Sequence, residues 1–160
     1  MLIGVLSDTH DRLPAIDAAL RLFANREVRA VIHAGDFVAP FAVRRLRQYR
    51  GPLHAIYGNN DGERKILKKM IPRVQNGPLF VKYAGRVILV NHSIDDCSSD
   101  DIERADIIIT GHTHEAVNRM DRRRLFLNPG ECCGWVNGTC TAAILETAGP
   151  LAEIYELEVR

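Results

Sequence analysis

Five short apolar runs in this chain each stop at a residue able to hold a metal ion. Residues 2–6 lead to Asp8 and His10, and Val31-Ile32 leads through His33-Ala34-Gly35 to Asp36. Leu53 to Tyr57 leads to Gly58-Asn59-Asn60-Asp61, Val87 to Val90 leads to His92, and Ile107 to Ile109 leads to His112 and His114. Runs this short and this apolar read as buried strands. Between the first three, apolar residues recur at helical spacing. They predict one helix on Leu13, Ile16, Leu20 and Phe23, a second over Phe41 to Tyr49, and a third on Ile66, Leu67 and Met70. Strand and helix in alternation imply a parallel sheet with right-handed crossovers. Such sheets gather ligands at the carboxyl ends of their strands, so seven donors far apart in sequence are expected in one crevice.

Beyond Pro72 the pattern turns to β structure. A hairpin is predicted from Leu79–Tyr83 and Val87–Val90 across Ala84-Gly85, then a strand at 107–109 and further hairpins to the end. Tyr155, Leu157 and Val159 alternate with Glu156 and Glu158, as in a strand near a sheet edge with one wet face. With 160 residues and 46% hydrophobic content, the expectation is one α/β (α+β) domain over 1–160, two packed mixed sheets flanked by helices.

Composition narrows the function classes. A net charge of +1 gives no global basic field, so nucleic acid is not indicated as a partner. Arg44, Arg45, Arg47 and Arg50, and the run Arg122-Arg123-Arg124, read as solvated faces. Cys97, Cys132, Cys133 and Cys140 lack paired C-x-x-C spacing and read as reduced thiols. No apolar run is long enough for a signal peptide or membrane span, so a cytoplasmic location is expected and no membrane partner.

The donor types suit a pair of divalent cations. Two cations close together need a shared carboxylate to reduce their repulsion, with imidazoles completing the shells, and Asp36 is the candidate bridge. Oxygen and nitrogen donors without thiolate favour Mn²⁺, Fe²⁺ or Zn²⁺ over Ca²⁺ or Cu⁺. His33 and His54 lie within apolar strands and read as core or sheet-face histidines. Asp61 either orients the Asn59-Asn60 loop as a hydrogen-bond acceptor or caps the next helix. Asn128 either buttresses the site or only forms a turn, and Cys132 and Cys133 read as small buried hydrophobes.

The ordered set D-T-H at 8–10, G-D at 35–36, G-N-N-D at 58–61, N-H at 91–92 and G-H-T-H at 111–114 resembles the motifs of the calcineurin-like metallophosphoesterases. The chain is most similar to their small prokaryotic phosphodiesterases without a cap domain, whose N-P-G motif resembles Asn128-Pro129-Gly130. The resemblance implies a four-layer sandwich and a phosphate ester attacked by a hydroxide bridging two metals. Asp8, His10, Asp36 and His114 would hold one metal, and Asp36, Asn59, His92 and His112 the other. Manganese is the expected ion, with Fe²⁺, Zn²⁺ and Ni²⁺ as alternatives. His10, Asn59 and Asn60 would act on the reacting phosphate, and a small phosphodiester is the expected substrate. A phosphomonoesterase or nuclease with the same site, and a non-catalytic scaffold like the family's retromer subunit, are the alternatives; self-association is left open. Two departures stand out. Asn60 occupies a position where many relatives carry a proton-donating histidine, and Ser93 replaces the glycine that usually follows the fourth motif.

Overall fold

The structure is a computed structural model describing residues 1–159. Its first sheet contains β1 (Leu2–Leu6), β2 (Ala30–His33), β3 (Leu53–Ala55), β9 (Thr141–Glu146) and β10 (Leu151–Glu156), in the order β10-β9-β1-β2-β3. β1, β2 and β3 are parallel, with Val5 opposite Ile32 and His33 opposite Ala55, and β9 joins β1 antiparallel. The second sheet contains β4 (Leu79–Tyr83), β5 (Arg86–Val90), β6 (Ile107–Ile109), β7 (Ala116–Asp121) and β8 (Arg124–Pro129), ordered β4-β5-β6-β8-β7.

The period-two alternation of the strands decides the layers. Ile3, Val5, Ile32, Ile88, Val90, Ile107, Ile109, Leu125 and Leu127 form the apolar core shared by the two sheets. Leu6 and Val31 point the other way, onto helices α1 (Leu13–Asn25), α2 (Pro40–Leu46) and α3 (Arg64–Met70). Helix α1 carries Pro14 in its first turn and presents the predicted Ile16 and Phe23 to that core, with Leu13 and Leu20 partly buried against it and Ala15 and Ala19 added to the buried face. On the outer face of the second sheet, Leu89 and Ile108 meet Ala105, Ile94 and Ile102 from the segment around the short helix α4 (Ser99–Glu103). The result is helix, sheet, sheet, helix: the expected two-sheet sandwich.

Several boundaries move. Helix α2 ends at Leu46, three residues early, and β3 ends at Ala55, with Ile56 adding one bridge to Gln75. The strand predicted over 155–159 runs from Leu151 to Glu156 on the sheet edge. Leu157 still donates its N–H to Cys140 and, with Val159, packs against the helix-side core, so the side-chain alternation outlasts the ladder. Helix α4 is absent from the sequence reading, although Ser98 and Asp101 form a capping box that marks its start. It lies in the crossover between β5 and β6, which are parallel, so the strand expected at 107–109 is not joined to its predecessor by a tight turn. No described helix is long and apolar enough to cross a membrane.

Candidate metal centre

The seven strand-end donors meet in one place, and the turns that bring them there are strained. Asp8, His10, Asp36, His112 and His114 all have positive φ, between 38° and 70°, a region that side-chain-bearing residues adopt at a cost. Close backbone approach supports the turns. A Cβ on Gly58 would collide with the Asp36 carboxylate, and one on Gly111 with Ser7 and Asp8. The loops then tie across the sheets: His112 donates its backbone N–H to Asp8 Oδ2 at 3.1 Å, and the His92 ring meets Ala34 O at 2.8 Å.

Two histidine pairs flank the acidic centre, His10 with His114 (ring centroids 5.3 Å apart) and His92 with His112 (5.2 Å). Asp36 Oδ2 lies 3.5 Å from His10 Nε2 and also 3.5 Å from His92 Nε2, between the two halves. Asp8 Oδ1 faces His114 Nε2 at 3.5 Å and His10 Nε2 at 4.0 Å. Asn59 Oδ1 completes the second half, 2.9 Å from His92 Nε2 and 2.9 Å from His112 Nδ1.

A cation fits this arrangement because acceptors face acceptors. His92 commits Nδ1–H to a carbonyl, so Nε2 of the neutral ring presents a lone pair toward Asp36 and Asn59, which present lone pairs in return. In the other half, Asp8 Oδ1 and His10 Nε2 are buried without any hydrogen-bond partner. Unpaired buried donors and acceptors are rare and costly, and a divalent ion would satisfy both. Burial raises the Asp8 carboxyl above the usual range. Burial pushes Asp36 upward as well, but hydrogen bonds from the side chain and backbone of Asn60 act against it, and its carboxyl lies well below that range.

Neighbouring residues fix these loops. Asp61 is buried and accepts from Gly58 N (2.7 Å), Asp36 N (3.1 Å) and Val38 N (2.8 Å), while helix α3 has no side-chain cap, so the loop-ordering alternative holds. Asn128 does both jobs weighed for it: Oδ1 closes its own turn on Gly130 N, and Nδ2 reaches Gly111 O at 2.8 Å. His33 is wholly buried, stacked on Phe37, with Nδ1 accepting from Gly35 N and Nε2 meeting Thr9 Oγ1 at 3.1 Å. His54 pairs with Tyr83 across the sheets' edge at 2.7 Å. Neither points a nitrogen at the centre. Asn60 turns its side-chain amide back onto Asp36 Oδ2 (2.7 Å), and its backbone N–H reaches Oδ1 (2.8 Å). Despite Ser93, His92 keeps its aim, with Ser93 capping the following turn.

One residue of the centre lies outside the strand-end pattern. Glu131, 1% exposed, accepts from His114 Nδ1 at 2.7 Å and from the backbone amides of Trp135, Val136 and Asn137. Burial acts to raise its carboxyl, but those donors outweigh it and hold it down to about 2. Its neighbour Cys133, pushed by burial up to about 12, stays a thiol, and burial raises Cys132 well above the usual thiol range as well. The sequence signal for Glu131 is a carboxylate directly after the Asn128-Pro129-Gly130 turn, two residues past the end of β8.

Known proteins resemble this chain in sequence and fold. The family model described as the calcineurin-like phosphoesterase superfamily domain matches residues 1–149. A phosphodiesterase of Methanocaldococcus jannaschii is 37% identical over 161 residues, covering 92% of this chain and 93% of its own length. A probable metallophosphoesterase of Methanothermobacter thermautotrophicus is 34% identical over 139 residues, covering 81% and 76%. The solved structure of an archaeal phosphodiesterase superposes with a TM-score of 0.85 at 34% identity, covering 98% of this chain and all (100%) of that one. Zinc-complexed Vps29 of Entamoeba histolytica, at 22% identity and a TM-score of 0.71, covering 98% and 91%, shares the fold. The chain belongs to the calcineurin-like phosphoesterase superfamily.

Proposed function

We propose that this protein is a metal-dependent phosphodiesterase acting on small diesters, with Asp36 shared between two divalent cations. The observation that carries the reading is the set of facing acceptors, above all the partnerless Asp8 Oδ1 and His10 Nε2. Asp8, His10 and His114 would hold one ion and Asn59, His92 and His112 the other. Two such ions, when bound, acidify a water toward neutral pH and polarise the phosphoryl oxygens. The protein's own work is positional: the Ala34 carbonyl and the Glu131 carboxylate fix the His92 and His114 rings, and Asp61 fixes the Asp36 and Asn59 loops. The exposed Asn59 side-chain amide and the half-buried His10 ring would be further contacts for the phosphate. Asn60, its amide engaged with Asp36, steadies the shared carboxylate and has no proton of useful acidity for a departing alkoxide.

The site is open, with Asn59, Asn60 and His112 exposed. A groove of about 580 Å³ runs from Asn59, His92 and His112 past Tyr57, Arg64 and Asn76, room for the organic part of a small diester. The nitrogen and oxygen donors suit Mn²⁺, Fe²⁺ or Zn²⁺, and manganese is the ion that the family resemblance implies. Four free thiols suit a reducing compartment, and a cytoplasmic setting belongs to this reading.

The test is elemental analysis of purified protein with a matched panel of mono- and diesters. Two ions per chain are expected, with diesters turned over faster than monoesters, activity lost to a chelator and restored by Mn²⁺. A protein that binds one ion, or that cleaves only monoesters, would overturn the proposal.

A further inference from the structure

The segment after β8 does more than leave the sheet. Cys132 N donates to Ser7 O and Cys133 N to Asp8 O, both at 3.0 Å, so this stretch lies as a short ladder against the loop that bears Asp8 and His10. Arg12, from the same loop, donates to Cys133 O and lies over the Trp135 ring, 4.8 Å from its centroid. From the other side, Asn137 Nδ2 holds the His114 backbone carbonyl at 2.9 Å. The segment therefore touches the loops of Asp8, His10 and His114, which form one half of the centre.

Glu131 is the hub of this segment. Oε1 accepts from the Val136 and Asn137 amides; Oε2 accepts from the Trp135 and Val136 amides, from Cys133 Sγ (3.2 Å) and from His114 Nδ1 (2.7 Å). A carboxylate so surrounded by donors has little capacity left to ligate an ion, which argues against a third metal at His114, Glu131 and Cys133 although their atoms lie close together. What it does is require a hydrogen on His114 Nδ1. The ring is then oriented with its Nε2 lone pair toward Asp8 Oδ1, 3.5 Å away.

We infer that Glu131 is a positioning residue for one metal site alone: it fixes the tautomer and aim of His114, and so sets the affinity of the Asp8–His10–His114 half. The inference rests on the proposed two-metal reading. Nothing comparable ties Glu131 to the other half, where the Ala34 carbonyl orients His92 and Asn59 faces His112.

The experiment uses Zn²⁺ as a diamagnetic probe on the metal-stripped full chain, titrated against a competing chelator, with Glu131→Gln, His114→Ala and His92→Ala beside the unmodified protein. Glu131→Gln keeps the shape and one oxygen for the backbone amides. It is expected to weaken one binding step by about 10–100-fold, the same step that His114→Ala removes, and to spare the step that His92→Ala removes. Equal weakening of both steps, or weakening of the His92 step, would overturn the inference. A second readout needs no variant. In the ¹⁵N-labelled zinc form of the unmodified protein, His114 Nδ1 should carry the hydrogen, and a hydrogen-free Nδ1 would overturn the inference even if every variant failed to fold. Failure of the unmodified protein to bind two ions would instead defeat the two-metal reading, leaving the tautomer result to decide the role of Glu131.

Discussion

Asp36 is the residue that faces both halves of the centre. Its Oδ2 is equally far from His10 and His92, and both its oxygens accept from Asn60. Asp36→Asn removes the shared charge and places an amide group where Asn60 already donates, so one hydrogen bond becomes a donor–donor conflict. Metal content and kcat/KM are expected to fall together, the rate by at least about 100-fold, more than for any unshared ligand. Elemental analysis beside the rate would expose an error, because two retained ions at a normal rate mean that Asp36 is not shared. Asn60 supports a second expectation. With no acidic proton to offer, it leaves the departing oxygen unassisted, so kcat/KM should drop steeply as the leaving group's pKa rises. A series of aryl and alkyl diesters at fixed pH and metal measures the slope. A flat series would show that another group supplies the proton.

At the scale of elements, each site loop is a strand end held from behind, and Asp61 shows how. One buried carboxylate accepts from three backbone amides in two loops, those of Asp36, Val38 and Gly58. Asp61→Ala leaves those N–H groups to water or to nothing, at about 1–3 kcal/mol for each that stays dry. Urea unfolding of the chelated protein should show that loss, and the remaining fold should bind metal more weakly. Unchanged stability and affinity would mean that the turns hold without it. These supports also mark how far the sequence could be read. The seven candidate donors were legible because apolar runs end abruptly at polar residues, a pattern independent of tertiary detail. The positive φ of Asp8, Asp36 and His114 was not, since a strained turn bears no residue signature unless glycine occupies it. Glu131 was hidden for a related reason: its partners are mostly backbone amides, which look alike in any sequence. Helix α4 was legible in the Ser98–Asp101 box, but five residues are too few to show an apolar period.

Across the whole molecule, the two sheets share one apolar layer, and the centre sits where their parallel strands end, so the stability of the core and of the site are linked through residues that serve both. His33 is such a residue: it ends β2, stacks on Phe37 and accepts from the Gly35 amide just before Asp36. Its Nδ1 takes the Gly35 N–H, so a second proton on the ring would face a donor, and complete burial lowers its pKa from 6.5 to about 3. The sign follows from linkage. Between those two values the unfolded chain binds a proton that the folded chain refuses, so stability rises with pH in that window. The His33 contribution is complete above 6.5 and is lost as pH falls toward 3, by up to on the order of a few kcal/mol. Other groups titrate nearby with mixed sign. Half-buried His54, also lowered by desolvation, adds to the loss, whereas Asp8 and Asp61, raised by burial, oppose it. A difference measurement isolates His33. Unfolding free energies of the chelated unmodified protein and of His33→Gln, measured in urea from pH 7 to pH 4, should converge as the pH falls, because the glutamine variant has no proton to gain at that position. Parallel curves would show that His33 takes up its proton without disturbing the fold, and that its bond to Gly35 places no electrostatic demand on the Asp36 loop.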